Sequence, residues 1–444
     1  MMRAPCSPMR LTVIGTGYLG LTHAVCMAEL GHEVIGLDTD AKKVAQIAAG
    51  ETPFFEPGLE ALLRKNLDAG RLRLTTSYGE AAEFGDIHFL CVGTPQAADG
   101  SADMSHVHSA VDGLSPHLSS ACLVVGKSTV PVGTARKLIA RIRSRAPAKD
   151  KVEIAWNPEF LREGFAIQDS LSPDRLVFGA MSDRPADLLR QVYASPIASG
   201  TPSLIMDLET AELVKVSANA FLATKISFIN AMAEVCEKVG ADVVRLAEAL
   251  GRDERIGRRF LAPGLGFGGG CLPKDIRAFR SSAEELGVDS LVNLLGEVDA
   301  INLNRRSRVV DLARKAVGGK LTGRRIGVLG LAFKPGSDDV RDSPSLHVCG
   351  LLMHESAVVT AHDPAALNAA ARIRPDLRYA DTISKAAEGA DVVLHLTEWS
   401  EYQAIDPAML AAVVARRNII DARCALDGQL WRSAGWAFQV LGRQ

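Results

Sequence analysis

One thiol and one carboxylate stand four residues apart at the end of a glycine-rich stretch, Phe260 to Asp275, which reads FLAPGLGFGGGCLPKD. A deprotonated cysteine is a strong nucleophile, and the glycines before Cys271 let backbone N–H groups approach a ligand closely. If a helix follows, Asp275 lies one turn from Cys271 and can take a proton from a water that attacks a group bound to the sulfur. The spacing therefore predicts a nucleophile and its base. The alternative is a structural cysteine in a loop.

A dinucleotide-binding pattern lies near the start of the chain. The strand-like run LTVIG leads into GTGYLG, and a helical pattern then extends to Leu30. The glycines allow a tight turn against a pyrophosphate, whose charge the helix N-terminus stabilises. The next run, EVIGL, leads to Asp38, about 20 residues past the glycines. An acid at this position accepts a hydrogen bond from a ribose 2′-hydroxyl and repels a 2′-phosphate. Asp38 is not needed as a helix cap, because Asp40 is better placed for that role. The pattern predicts NAD, with contacts at Gly15, Gly17, Tyr18, Leu19, Gly20 and Asp38.

Polar residues follow three further strand-like runs of the first 200 residues. Strands predicted at 87–92 and 123–126 lead to Thr94 and Thr129, and VEIAW leads into Asn157–Gly164, NPEFLREG. Ligands bind at the carboxyl ends of such strands, so both threonines are site candidates. Glu159 and Glu163 would face one way if their segment were helical. A capped helix start with solvated acids explains their spacing equally well.

Between Asp207 and Val239 there is neither glycine nor proline, and the apolar spacing predicts one helix of up to about 50 Å. We expect this helix to cross from the first domain to the last and to carry much of a dimer interface. Glu212, Lys215 and Asn219 share one stripe of it, where a solvated face is the ordinary explanation.

The last third of the chain repeats the pattern of strands and turns seen at its start. The run RIGVLG, residues 325–330, precedes Lys334, and a later strand ends at His362-Asp363-Pro364. The first turn lacks the final glycine of the dinucleotide pattern and offers Lys334, which suits phosphate contact without a dinucleotide. A strand predicted at Asn418–Asp421, taken as the last, delivers Arg423 at its carboxyl end.

Bulk properties narrow the class of protein. The chain has 444 residues and a formal net charge of −2, which argues against nucleic acid or acidic membranes as partners. Eight cysteines form no CxxC pair, so we expect no metal site, no disulfide framework and a cytoplasmic location. No apolar run reaches membrane-spanning length, and residues 1–8 are expected to be a disordered segment.

From about residue 10 to about residue 430, the chain resembles the UDP-glucose and GDP-mannose 6-dehydrogenase family. The motifs GTGYLG, STVPVGT, NPEFLREG, FGGGCLPKD, GLAFKPGSDDVRDSP and TEW stand in the family's order. The resemblance implies an NAD-dependent enzyme that oxidises the C6 alcohol of a nucleotide sugar to a carboxylate in two hydride transfers. It also implies that the aldehyde stage is held on the cysteine as a thiohemiacetal and that water releases the acid from a thioester.

The resemblance implies a role for each motif residue. Cys271 is then the nucleophile, Asp275 the base for water, and Lys215 with Asn219 the groups that stabilise negative charge at C6. Glu159, Glu163 and Thr129 hold a water and assist proton transfer, while Thr94, Thr129, Glu163, Lys43 and Lys274 join the cofactor contacts. Substrate contacts are expected at Phe160, Leu161, Glu163, Lys215, Asn219, Arg255, Phe260, Gly268, Phe333, Lys334 and Arg423.

The resemblance favours UDP-glucose as the substrate, because DGSADMSHV and ERIGRRFL look closer to the UDP-glucose enzymes of the family. GDP-mannose or another UDP-hexose is the alternative, and a non-catalytic nucleotide-sugar sensor is a more distant one. In relatives, an arginine at the position of Arg255 reaches a neighbouring subunit's site, which implies a homodimer. The chain departs from the family at Gly270, where serine is usual, and at Cys424, where asparagine is common.

The predicted fold is α/β, with two doubly wound Rossmann-like domains joined by a long central helix and a helical dimerisation region. We expect an NAD-binding domain at 9–204, the central region with the cysteine loop at 205–317, and a nucleotide-sugar-binding domain at 318–444.

Overall fold

The computed structural model describes residues 7–443, and contacts within the chain divide it into two units, one up to Ala218 and one from Asn219 onward. Most of the predicted disordered segment, residues 1–6, lies outside the described residues. Ser7 and Pro8 precede the first strand without regular structure. The domain limits predicted after residues 204 and 317 stay predictions.

An eight-stranded sheet forms the centre of the first unit. Its strands are β1 (Arg10–Ile14), β2 (Glu33–Leu37), β3 (Leu72–Thr75), β4 (Ile87–Leu90), β5 (Cys122–Gly126), β6 (Val152–Trp156), β7 (Leu176–Ala180) and β8 (Ser203–Met206). They are ordered β3-β2-β1-β4-β5-β6-β7-β8, and only β6 and β7 pair antiparallel. The central strands are apolar and buried along nearly their whole length because helices cover both faces of the sheet. Strand β4 ends two residues earlier than predicted.

Helices fill both faces of this sheet. They are α1 (Tyr18–Glu29), α2 (Ala41–Ala48), α3 (Leu59–Asp68), α4 (Tyr78–Phe84), α5 (Ser105–Leu114), α6 (Thr134–Arg145), α7 (Ala166–Leu171), α8 (Asp183–Val192) and α9 (Ala194–Ala198), with 3₁₀ turns at Ser115–His117 and Lys149–Lys151. Side chains of one strand alternate between two cores: Leu11 and Val13 enter one, and Ile14 enters the other.

The long helix predicted from Asp207 is confirmed as α10 (Leu208–Val239), which has 32 residues. The carboxylate of Asp207 caps its start by accepting a hydrogen bond from the Thr210 N–H at 2.7 Å. At about 1.5 Å per residue the helix is about 48 Å long.

The second unit is built on a six-stranded, wholly parallel sheet. Its strands are β9 (Arg325–Leu329), β10 (Val358–His362), β11 (Arg378–Tyr379), β12 (Val392–His395), β13 (Asn418–Asp421) and β14 (Ala437–Val440), in the order β11-β10-β9-β12-β13-β14. The expectation that β13 is the last strand is wrong, because β14 pairs with it in parallel. This edge strand has four residues with an alternating burial pattern, so no continuous apolar run marks it.

The remaining helices belong to the second unit. They are α11 (Val243–Gly251), α12 (Leu272–Glu285), α13 (Asp289–Ala316), α14 (Pro344–His354), α15 (Leu367–Ile373), α16 (Ile383–Ala387), α17 (Ser400–Gln403), α18 (Pro407–Ala411) and α19 (Gly428–Ser433). None of the helices in residues 7–443 combines the length and the apolar character needed to cross a membrane.

Both sheets follow the doubly wound plan that the sequence predicts. The strand order reverses next to the first strand of each sheet, between β1 and β4 and between β9 and β12. In such sheets, ligands bind outside the carboxyl ends of the strands at this reversal. The candidate residues that follow β1, β2, β4, β5 and β6 therefore lie along one edge of the first sheet.

Candidate active site

The glycine turn after β1 has room for a phosphate. Helix α1 begins at Tyr18, so the backbone N–H groups of its first turn are not used inside the helix. A Cβ on Gly17 would meet no atom within 4 Å, whereas a Cβ on Gly20 would lie 1.7 Å from the Gly15 carbonyl oxygen. Gly17 therefore leaves open space over the turn, and Gly20 lets the helix pack on the strand. These are the features that a bound pyrophosphate requires.

The carboxylate of Asp38 stands at the end of β2, and hydrogen bonds hold it in place. Oδ2 accepts from the Thr16 N–H at 2.9 Å and from the Lys43 ammonium at 2.9 Å, and Oδ1 accepts from the Asp40 N–H at 3.1 Å. Burial alone would raise the pKa of Asp38, but the bonds from Lys43 and the backbone outweigh it and keep the pKa below its usual range. Asp40 caps α2, as predicted, so Asp38 is not needed as a cap. The charged group suits a ribose hydroxyl.

The ends of β4, β5 and β6 are tied together by polar contacts. Thr94 donates its hydroxyl to the carbonyl of Thr129 at 2.8 Å, and the buried ammonium of Lys127 donates to Asn157 Oδ1 at 2.9 Å. Burial lowers the pKa of Lys127 to about 8. Lys127 and Asn157 are not among the site residues predicted from the sequence. Their positions at the carboxyl ends of neighbouring strands are the signal that would have identified them.

Lys215 and Glu159 form a buried ion pair in the first unit. Lys215 Nζ lies 2.9 Å from Glu159 Oε1, and it also lies 5.7 Å from the centre of the Phe160 ring. Glu159 Oε2 accepts from the Leu161 N–H at 2.6 Å. Burial alone would raise the pKa of Glu159, but the charge of Lys215 and the bond it donates hold that pKa below its usual range. Glu159 is therefore a carboxylate that lies within ion-pair distance of Lys215 Nζ.

Two expectations from the sequence are wrong: the helical alignment of Glu159 with Glu163, and the solvent-exposed stripe on α10. The segment Asn157–Gly164 is a loop, so Glu159 and Glu163 are not aligned by helical spacing. Glu163 lies at its far end and is half-buried. The solvated explanation of the α10 stripe is also wrong, because Glu212, Lys215 and Asn219 are each less than a tenth exposed.

Cys271 and Asp275 are arranged as the spacing predicts. Cys271 immediately precedes α12 and is exposed, and its carbonyl accepts from the Asp275 N–H at 3.0 Å in the first helical turn. Asp275 is buried, and its carboxylate accepts from Asn219 Nδ2 at 2.6 Å and from Lys274 Nζ at 2.5 Å. The positive end of the helix dipole stabilises negative charge at Cys271. An exposed thiol and a fixed carboxylate thus stand one turn apart.

The glycines before Cys271 pack against the segment that follows β9. The Gly269 N–H donates to the carbonyl of Arg341 at 2.9 Å, and Gly268 is buried. A Cβ on Gly270 would come within 2.3 Å of the Arg341 guanidinium carbon. The glycine at position 270, where serine is usual in the family, therefore gives room to the side chain of Arg341. Sequence reasoning missed Arg341, because its position depends on a contact across the fold.

Three of the residues expected to hold the nucleotide sugar, Phe333, Lys334 and Arg423, follow β9 and β13. Lys334 Nζ lies 5.4 Å from the centre of the Phe333 ring. Arg423 donates to three carbonyls, those of Leu396 at 2.6 Å, Gly266 at 3.1 Å and Phe333 at 3.2 Å. Arg423 therefore anchors the glycine-rich loop to two strand ends, which the sequence did not foresee. Next to it, Cys424 has a left-handed backbone with φ of +56°.

Two further candidates lie in the segment before the cysteine loop. Arg255 has an 88% exposed side chain and is paired with Asp253 at 2.6 Å. Phe260 is exposed and has φ of +63°, a conformation that an aromatic residue rarely adopts. Across residues 7–443, no group of three or more histidine, cysteine or acidic side chains is placed to hold a metal ion.

Two doubly wound sheets, the first parallel except where β6 pairs with β7 and the second wholly parallel, and a glycine turn that fits a dinucleotide are features of a nucleotide-dependent dehydrogenase. The chain belongs to the UDP-glucose/GDP-mannose dehydrogenase family: the family's NAD binding domain matches residues 9–197, its central domain 209–304 and its UDP binding domain 327–428. It is an NAD-dependent oxidoreductase.

Named relatives agree with this assignment. The chain is 40% identical to a UDP-glucose 6-dehydrogenase of Pseudomonas aeruginosa and to the UDP-glucose 6-dehydrogenase YwqF of Bacillus subtilis, and each match covers 98% of both chains. The structure of a UDP-glucose dehydrogenase from Pyrobaculum islandicum is similar over 100% of both chains, with a TM-score of 0.92 and 38% identity.

Replacing Asp38 with Asn should weaken the preference for NAD over NADP. The carboxylate that repels a 2′-phosphate is lost, and Lys43 is released from its ion pair to contact that phosphate. We expect the ratio of kcat/KM for NAD to that for NADP to fall about tenfold, which is about 1.4 kcal/mol. Adding Lys43→Ala should remove the gain for NADP. An unchanged ratio in Asp38→Asn would exclude Asp38 from cofactor recognition.

Two alanine substitutions in the glycine turn should affect two different properties, stability and NAD binding. Gly20→Ala places a methyl group against the Gly15 carbonyl and should cost about 2 to 3 kcal/mol of unfolding free energy. Gly17→Ala meets no protein atom, so stability should stay the same while the Kd for NAD rises about tenfold. Calorimetry of unfolding and of NAD titration measures both. Wild-type NAD affinity in Gly17→Ala would show that the pyrophosphate does not lie over this turn.

The Lys215–Glu159 pair should make stability depend on pH. The pKa of Glu159 is lower in the folded chain than its unfolded value of about 4.3. The ion pair therefore contributes fully to the free energy of unfolding at pH values above the unfolded-state pKa of Glu159. This contribution is lost as the pH falls through the folded-state pKa of Glu159. Near pH 7, Glu159→Gln should cost about 3 to 5 kcal/mol because a buried ammonium loses its partner. The difference in free energy of unfolding between Glu159→Gln and the wild type should become smaller below about pH 4.

The matched control is Glu60→Gln, which breaks an exposed ion pair with Arg64 at 2.7 Å in the same unit. We expect a cost below about 1 kcal/mol there. Equal costs for the two substitutions in thermal unfolding at pH 7 would contradict the assignment of a buried, charged pair to Lys215 and Glu159.

Proposed function

We propose that the chain oxidises UDP-glucose at C6 to UDP-glucuronate. One UDP-glucose, two NAD⁺ and one water give one UDP-glucuronate, two NADH and three protons. Bound NAD supplies the hydride acceptor in both oxidations. The observation that carries the proposal is the exposed Cys271 at the start of α12, with the buried carboxylate of Asp275 one turn below it. The names of the relatives support the choice of substrate.

The first oxidation converts the C6 alcohol to an aldehyde, and the proton of the alcohol has to leave. We assign its removal to Glu159, acting through a water that Thr129 also holds. The charged state of Glu159 supports this role, because only the carboxylate can accept a proton. Lys215, paired with Glu159, is assigned to the oxygen at C6, where its ammonium stabilises developing negative charge.

In the second stage, the sulfur of Cys271 bonds to the aldehyde carbon and gives a thiohemiacetal. Loss of hydride from that carbon then leaves a thioester. Negative charge collects on the C6 oxygen before the hydride leaves, and Lys215 and Asn219 are assigned to stabilise it. Asn219 already donates one N–H to Asp275, so its second N–H is the donor for this oxygen.

Water then hydrolyses the thioester. Asp275 accepts a proton from the attacking water, the carbon–sulfur bond breaks, and the thiolate of Cys271 is released together with the carboxylate product. Hydrogen bonds from Asn219 and Lys274 fix the carboxylate of Asp275, so it keeps one orientation during this step. The helix N-terminus at Cys271 stabilises the departing thiolate.

Substrate binding is assigned to residues of the second unit. Lys334 offers a cation at the end of β9 for the diphosphate, and Arg423 sits at the end of β13. Because Arg423 already donates to three carbonyls, we expect its main effect to be on the shape of the nucleotide pocket. Phe260 and Phe333 supply aromatic surface for the base and sugar.

We also propose a homodimer. Phe221, Phe228 and Val235 are exposed on α10 at intervals of seven residues, which places them on one face of the helix. An exposed apolar face of this kind is typical of a surface that another chain covers. The 88% exposed Arg255 fits the expected contribution of one subunit to the site of the other.

A cytoplasmic location is proposed from the thiols. Seven of the cysteines lie within residues 7–443, and all seven are free. Five of them besides Cys271 are buried single thiols, an arrangement usual for proteins of a reducing compartment.

The function is tested by NADH formation against UDP-glucose, UDP-N-acetylmannosamine and GDP-mannose. We expect UDP-glucose to give the highest kcat/KM and two NADH for each UDP-glucuronate. A higher kcat/KM for GDP-mannose would assign the chain to the other branch of the family. Binding of nucleotide sugars without NADH formation would support a sensor and contradict the proposal.

Cys271→Ser should keep NAD and UDP-glucose binding but lower kcat by at least about 10³-fold, because a serine alkoxide is much harder to form than a thiolate. Cys236→Ser, a buried thiol on α10, is the control and should retain activity. Turnover of Cys271→Ser at the wild-type rate would show that the thiol is structural.

A further inference from the structure

Glu56 is a buried glutamate in the loop between α2 and α3, and it belongs to none of the sequence motifs above. Glu56 is 6% exposed and is flanked by Phe54, Phe55 and Pro57. A carboxylate that loses its water has to be given donors by the protein, since an unsatisfied buried charge is strongly destabilising. The origin of those donors shows which segments Glu56 holds.

The donors to Glu56 come from two segments far apart in sequence. Oε2 accepts from the Tyr18 hydroxyl at 2.5 Å and from the Gly164 N–H at 2.7 Å, and Oε1 accepts from the Ala166 N–H at 2.8 Å. Both oxygens are therefore in use, and all three donors are neutral. Only an ionised carboxylate accepts at both oxygens without presenting a hydrogen of its own.

The first of these segments is the cofactor turn. Tyr18 is the first residue of α1, and its ring lies 4.9 Å from the ring of Phe54. Burial, together with the hydrogen bond to Glu56, raises the pKa of Tyr18 above its usual range, so its hydroxyl remains a donor. Glu56 thus fixes the side chain of the residue whose backbone opens the pyrophosphate-binding helix.

The second segment is the end of the loop that carries Glu159 and Glu163. Gly164 directly follows Glu163, and the same loop begins near Glu159, which pairs with Lys215. A loop without helical hydrogen bonds needs anchors at both ends. Lys127 bonds to Asn157 at its start, and Glu56 bonds to Gly164 and Ala166 at its end.

We propose that Glu56 is a positioning residue that joins the cofactor turn to the Asn157–Gly164 loop, so that binding of NAD and ordering of that loop depend on each other. Glu56 acts through the hydrogen bonds that it accepts from Tyr18 and Gly164. The proposal deepens the proposed function and rests on it for turnover, so direct NAD binding is the main readout.

The test uses the full chain and Glu56→Gln. The glutamine places an N–H group among three donors, so at least one of them loses its acceptor. We expect the Kd for NAD, measured by calorimetry, to rise at least tenfold, while the Kd for UDP changes less than twofold. In hydrogen–deuterium exchange, NAD should protect residues 157–166 in the wild type and not in the variant.

Tyr18→Phe removes one donor and leaves the other two bonds in place, so it provides a test that does not remove the buried carboxylate. It should raise the Kd for NAD less than Glu56→Gln does, and the double variant should be no worse than Glu56→Gln alone. Asp112→Asn, which breaks the bond to Arg141 in the same unit, is the control and should leave NAD binding unchanged.

The proposal is overturned if Tyr18→Phe and Glu56→Gln bind NAD as the wild type does, or if NAD still protects residues 157–166 in both. It is also overturned if Glu56→Gln loses UDP and NAD binding to the same extent, because the effect would then be general unfolding. A wild-type chain that binds NAD but oxidises no nucleotide sugar would instead contradict the proposed function.

Discussion

A carboxylate taken out of water has to receive hydrogen bonds from the protein, and the functional loops of this chain are organised around such carboxylates. Asp275 receives donors from Asn219 and Lys274, and Asp38 receives them from the glycine turn and Lys43. Each acid fixes the segments that supply its donors. The acids that we assign to chemistry and to binding are therefore also the groups that hold their surroundings in place.

The two reacting groups of the cysteine loop differ in exposure, and this difference suits their roles. Cys271 is exposed at the start of a helix, where a substrate carbon can reach the sulfur. Asp275 is buried one turn further on, where it cannot rotate away from its two donors. A nucleophile has to meet the substrate, whereas a base for water has to keep one orientation through a reaction of several steps.

Much of the fold and part of the site were predictable because they depend on local patterns. The spacing from the glycines to Asp38 and the unbroken apolar period before Val239 reflect strand, turn and helix geometry, which neighbouring residues determine. The four-residue spacing of Cys271 and Asp275 belongs to the same class, since one helical turn relates them.

Other features were not predictable from one sequence, because they depend on contacts between distant segments. The spacing of Glu159 and Glu163 suggested a helix, but anchors at both ends of their segment hold it as a loop. The roles of Glu56 and Arg341 depend on Tyr18 and Gly270, which lie tens of residues away. A polar residue in a loop acquires such a role only when the fold brings its partners to it.

The central claim is that Cys271 carries the oxidised sugar carbon and that Asp275 activates the water that releases it. The most direct measurement is the intact mass of Asp275→Asn after incubation with UDP-glucose and NAD, followed by mapping of the modified residue. We predict a thioester adduct on Cys271 that persists because the base for water is missing, and wild-type protein without an adduct. An Asp275→Asn protein that turns over at the wild-type rate without an adduct would contradict the claim.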